Sequence, residues 1–76
     1  MEPVAEHVLR IVRSYCRKFP KLTNTYEELG IDSLAADELI IDLEDEFKLD
    51  IPDEDVKTMH TVSDLVSYVE RQLKCL

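Results

Sequence analysis

Apolar residues recur along this chain at intervals of three and four, and no segment shows the strict alternation of a half-buried strand, so the chain is restricted to packed helices. Val4, Val8, Ile11, Val12, Tyr15, Cys16 and Phe19 form the first such series. It starts after Pro3, which suits a first helical turn, and stops at Pro20, predicting an amphipathic helix of about four turns. Residues 21–30 read as a loop, with Thr25 and Glu28 in capping-box spacing, Leu29 as its core anchor and Gly30 closing a turn. Asp32 is a good N-cap for a second helix from Leu34 to Phe47, whose apolar face is Ala36, Leu39, Ile40, Leu43 and Phe47. Ile51-Pro52-Asp53 breaks the pattern, and Glu54 to Met59 leaves room only for a short helical turn. A second capping box, Thr61 to Asp64, opens a last helix carrying Leu65, Val66, Val69 and Leu73. The expected architecture is all-α, a single domain over residues 1–76 with three principal helices and one short one packed as a small bundle.

A chain of 76 residues holds one small core, worth roughly 3–5 kcal/mol of net stability. No apolar run is long enough for a membrane span, and the N-terminus has neither the basic start nor the apolar stretch of a signal peptide, so a cytoplasmic location, or the mature form of an imported protein, is expected. Cys16 and Cys75 lack metal-ligand spacing and suit a reducing compartment, Cys16 as a small buried hydrophobe and Cys75 as a terminal thiol. The net charge of -8 argues against nucleic acid as a partner. Its distribution is polar. From Glu27 to Asp55 carboxylates face a single base, Lys48, whereas Arg10, Arg13, Arg17, Lys18 and Lys21 crowd the first segment. The acidic block reads as a docking face for basic surfaces, and it lacks the glycine and ligand order of a calcium loop, so no metal site is expected.

Ser33, at the mouth of that block, is the candidate for chemistry. A nucleophilic serine needs a base, and the only histidines, His7 and His60, lie far from it in sequence. No nucleotide loop or metal set is present either, so an enzyme is not expected. Ser33 is better read as an attachment point acted on by another enzyme, placed where unpaired N–H groups and the positive end of a helix dipole would accommodate a phosphate.

The run Glu28-Leu29-Gly30-Ile31-Asp32-Ser33-Leu34, followed by Glu38-Leu39, Leu43-Glu44-Asp45-Glu46-Phe47 and Ile51-Pro52-Asp53-Glu54, resembles acyl carrier proteins of the discrete bacterial and organellar type. The resemblance spans nearly the whole chain. It implies a four-helix bundle of acyl-carrier type, a monomer, with 4′-phosphopantetheine transferred from coenzyme A to Ser33 by a phosphopantetheinyl transferase and acyl chains carried as thioesters. It implies a recognition face for acyl-processing enzymes with basic docking patches at Asp32, Leu34, Asp37, Glu38, Ile41, Glu44 and Asp45. It also implies an acyl pocket lined by Leu43, Ile51, Met59, Leu65 and Tyr68, with no stable membrane insertion.

Four residues depart from the family's pattern. Ala35 stands where an acidic residue is common, Asp37 where a partner-facing valine is common, Asp42 where alanine is often found, and Leu65 where many members have alanine beside the acyl chamber. The first two alter the contact surface, and Leu65 is expected to favour short or exposed cargo, at about 0.8 kcal/mol per methylene displaced. Fatty-acid synthesis therefore competes with specialised polyketide, lipid or aminoacyl carriage, and with an unmodified acidic interaction module of the same fold.

Overall fold

The computed structural model describes residues 3–74. They form four helices in the order α1 (Val4–Arg13), α2 (Ser33–Phe47), α3 (Asp53–Val56) and α4 (Val62–Lys74), with no strand among the described residues. Helix α1 packs against both α2 and α4. Val8, Val12, Leu39, Leu43, Val62, Leu65 and Val69 are fully enclosed between them. Each enclosed side chain contributes roughly 1.5–3 kcal/mol relative to exposure, so the three long helices hold the fold together. Helix α3 buries no residue of its own and is held by what flanks it: Ile51 before, Met59 after, and Tyr68 across.

The first helix is shorter than its apolar series predicts. It ends at Arg13, after which Ser14, Tyr15 and Cys16 donate their N–H groups three residues back, to Ile11, Val12 and Arg13, tightening the chain into turns. Ser14 Oγ also donates to the Ile11 carbonyl at 2.7 Å, competing with continuation of the helical ladder. Phe19 therefore falls on no helix face. It is 77% exposed, in a chain that Pro20 holds away from helical geometry. Cys16 is only half-buried, its thiol within reach of the Val12 and Lys18 carbonyls, which corrects the expectation of a buried hydrophobe. Cys75 lies outside the described residues.

Two capping boxes stand back to back. Thr25 N–H donates to Glu28 Oε1 at 2.8 Å while Glu28 N–H donates to Thr25 Oγ1 at 3.2 Å. Thr61 N–H donates to Asp64 Oδ2 and Asp64 N–H to Thr61 Oγ1, both at 3.2 Å. A single antiparallel bridge pairs Thr25 with Thr61, and the N–H groups of Val62 and Ser63 donate to the carbonyls of Asn24 and Leu22. The 21–30 loop is thus clasped to the start of α4, which satisfies backbone donors that a helix start leaves open. Gly30, at φ +74°, then turns the chain into Ile31 and the start of α2, and both Leu29 and Ile31 are buried.

Candidate functional site

Helix α2 starts where its sequence specifies. Asp32 has extended backbone geometry, and its Oδ1 accepts the N–H of Ala35 at 2.8 Å while its carbonyl accepts the N–H of Ala36. Ser33 is therefore the first helical residue, and it is exposed. Among the described residues its hydroxyl makes no hydrogen bond, and the N–H groups of Ser33 and Leu34 find no acceptor. An ester at Ser33 Oγ would place a phosphate beside these donors at the positive end of a fifteen-residue helix, with no protein hydrogen bond to displace. The site fits a phosphodiester sterically and electrostatically. No histidine is hydrogen-bonded to Ser33: His7 Nε2 lies 2.9 Å from Glu46 Oε1, with its ring against Phe47, and His60 is exposed ahead of α4.

Beyond Ser33, α2 carries Asp37, Glu38, Asp42, Glu44, Asp45 and Glu46 and no lysine or arginine. Three of these carboxylates occupy its C-terminal turn, against the helix dipole, where each opposes stability by about 0.3–1 kcal/mol. Helix stability alone does not account for that placement. Leu34 is 69% and Ile41 55% exposed, seven residues apart on one face, with Asp37 and Glu38 between them and Asp45 one turn beyond. The sequence-derived recognition residues thus share an exposed surface, with two qualifications. Asp32 is engaged as the N-cap, and half-buried Glu44 uses Oε2 to accept the Ile51 N–H at 2.9 Å, closing the chain after α2.

The residues assigned to an acyl pocket, Leu43, Ile51, Met59, Leu65 and Tyr68, are all buried in the core. Leu43 and Leu65 have no exposed surface, and Tyr68 donates its hydroxyl to Asp55 Oδ2 at 2.7 Å, tying α4 to α3. Burial first, and then that carboxylate, push the Tyr68 phenol up to about 12. The open space lies elsewhere. A groove of about 470 Å³ runs between α2 and α3, walled by Ile40, Ile41, Asp37 and Glu44 on one side and Asp53, Val56 and Lys57 on the other, with Ile51 the only assigned pocket residue among them. Sequence reasoning had no signal for Val56 and Lys57, because α3 is too short for a periodic face. Asp42, legible in the sequence only as a departure from the family's pattern, accepts the hydroxyl of Tyr15 and helps hold that phenol at about 12. That contact bridges chain segments 27 residues apart and leaves no trace in local spacing.

Residues 6–69 match the family model described as "Phosphopantetheine attachment site". A crystal structure of an acyl carrier protein from Thermotoga maritima superposes with a TM-score of 0.78 at 30% identity, covering 91% of this chain and 85% of that one. A capped helix presenting a free serine, within a domain matched from α1 to α4, defines a phosphopantetheine-bearing carrier, and the chain belongs to the acyl carrier protein family. It is a carrier, not a catalyst.

Proposed function

We propose that Ser33 is the residue esterified by 4′-phosphopantetheine, and that the chain carries acyl intermediates as thioesters for fatty-acid or related acyl biosynthesis in the cytoplasm, working as a monomer. The observation that carries this reading is the exposed, unbonded Ser33 hydroxyl at the Asp32-capped start of α2, inside a matched phosphopantetheine attachment domain. A phosphopantetheinyl transferase supplies the base that the chain lacks and the specificity that a dipole term of under about 1 kcal/mol cannot. When attached, the arm supplies a thiol that forms thioesters. The chain's own residues then present and shelter the cargo.

Presentation falls to the α2 face. Leu34 and Ile41 offer apolar contacts amid Asp37, Glu38 and Asp45, with Asp32 and the free oxygen of Glu44 at its margins, which suits partners with basic rims around an apolar centre. Such docking is fast, weak and salt-sensitive, as a shuttle requires. Asp37 at the middle of that face disfavours partners that offer it only an apolar pocket. For shelter, the closed packing of Leu65 against the core supports short cargo, with room found along Ile51 and the α2–α3 groove rather than among Leu43, Met59 and Tyr68. Each methylene sheltered contributes at most about 0.8 kcal/mol, so a partner's own pocket can extract it.

The test is acyl loading. After conversion to the pantetheinylated form, the chain should accept acyl groups as hydroxylamine-labile thioesters, and short acyl chains should perturb the NMR signals of Ile51 and Val56. Hydroxylamine-resistant acylation, or acylation of chain never exposed to coenzyme A, would contradict the proposal.

A further inference from the structure

The basic residues that the acidic face leaves unexplained gather around one protruding aromatic side chain. Where the chain leaves α1 and enters the 21–30 loop, Arg17, Lys18, Phe19, Lys21 and Leu22 are all exposed, with Phe19 at 77% and Leu22 at 42%. The Arg13 guanidinium sits 3.8 Å from the Phe19 ring centroid, holding the ring at the edge of a largely apolar depression of about 390 Å³ formed with Glu6, Leu9, Arg10 and Pro20. An aromatic and a leucine displayed together amid cations, on a chain whose net charge is -8, form a local surface opposite in sign to the rest of the molecule.

We propose that residues 17–22 form a docking loop for an anionic lipid surface. The charge is complementary, since Arg17, Lys18 and Lys21 lie within one short segment and each such cation strengthens binding near an anionic leaflet by about fivefold. The shape is also suitable. Phe19 is 77% exposed at the rim of that depression, so a broad surface can receive it together with Leu22, the aromatic ring lying at the headgroup level and the cations among the phosphates. An acidic protein segment would match the charge but offers no apolar layer to receive the exposed Phe19 and Leu22. No described helix is long and apolar enough to cross a membrane, and the contact proposed is interfacial. Glu27 and Glu28 border the same loop across a neighbouring cleft with Arg17 and Lys18, so the attraction is local and weak. Screening over about 10 Å confines the repulsion from α2 to orientations that bring its carboxylates to the lipid, which selects the one with Phe19 facing inward.

The experiment uses the full chain with vesicles of phosphatidylcholine, alone or with about a third phosphatidylglycerol. The chain has no tryptophan, so Phe19→Trp provides a single fluorescent reporter at the point of contact. Titration with the anionic vesicles at about 0.1 M salt, where the screening length is about 10 Å, should shift its emission to the blue and bring the chain down with the lipid. Neutral vesicles or high salt should abolish both effects. Lys18→Gln and Lys21→Gln should each weaken binding about fivefold and Phe19→Ala about tenfold, with far-UV circular dichroism unchanged. Equal binding to neutral vesicles, no binding at about 0.1 M salt, or binding insensitive to all three substitutions overturns the proposal. Binding to soluble polyglutamate but not to vesicles assigns the patch to an acidic protein and also overturns it.

Discussion

Removing the Asp64 carboxylate tests how the loop that leads into Ser33 is held. Asp64 Oδ2 accepts two backbone N–H groups, from His60 at 2.9 Å and Thr61 at 3.2 Å, at the point where the 21–30 loop is bridged to α4. Asp64→Ala deletes the oxygen that accepts both. Loss of a cap costs about 1 kcal/mol, and the second donor, close to exposed His60, costs a further 0.5–1, so the change should remove roughly 1.5–2 kcal/mol. Of a net stability of roughly 3–5 kcal/mol that is a large share, equivalent to a fall in Tm of about 6–16 °C. The dependence on pH has a definite sign. The N–H groups of His60 and then Thr61 hold the Asp64 carboxyl below its ordinary value, so the folded state favours the ionised form. Its contribution is therefore complete above the ordinary carboxylate range and lost as pH falls through the lowered folded value. Urea unfolding followed by circular dichroism should show the full gap between wild type and Asp64→Ala near neutrality and little gap in strong acid. Asp64→Asn, which keeps one acceptor oxygen, should fall between them. A gap under about 0.5 kcal/mol at neutral pH, or one that persists undiminished in acid, refutes the Asp64 cap.

Three further consequences can be measured on the unmodified chain. Lys48 closes α2 with φ 56°, a left-handed conformation that costs a side-chain-bearing residue about 1 kcal/mol, so Lys48→Gly should raise the urea midpoint; a lower midpoint contradicts the strain. The Tyr26 hydroxyl is buried without a hydrogen-bond partner among the described residues, so Tyr26→Phe should stabilise by about 1 kcal/mol, and a loss of that size would reveal a missed partner. Tyr15, Tyr26 and Tyr68 are all pushed from 10.0 up to about 12, Tyr15 chiefly by its bond to Asp42 and the other two chiefly by burial. Their raised values favour the protonated folded state, so stability should be retained below pH 10 and decline between 10 and 12, with phenolate absorbance appearing as the chain unfolds; free titration at pH 10 in the native state would contradict this.

What could be read from the sequence was what local chemistry decides. The Asp32 cap, both capping boxes, the Gly30 turn and the α2 core face follow from short-range rules, and the structure has each of them. The end of α1 was misjudged because apolar spacing continues through Tyr15, Cys16 and Phe19 while Ser14 diverts the backbone, a competition that periodicity does not register. The groove beside α3 was not legible at all. Its α3 wall is held by Glu44 accepting the Ile51 N–H and by Tyr68 of α4 donating to Asp55, contacts that exist only once the helices have packed. For Ser33 the sequence offers the surrounding motif and the lack of a base, and the structure adds its exposure at the Asp32-capped start of α2; its modification is the proposal.

That role is decided by where a transferred group lands. The chain incubated with coenzyme A and a promiscuous phosphopantetheinyl transferase should gain one phosphopantetheinyl group by intact mass, fragmentation should place it on Ser33, and Ser33→Ala should gain nothing while keeping its helical circular dichroism. An unmodified wild-type chain, or a Ser33→Ala chain modified equally well, would contradict the account at its centre.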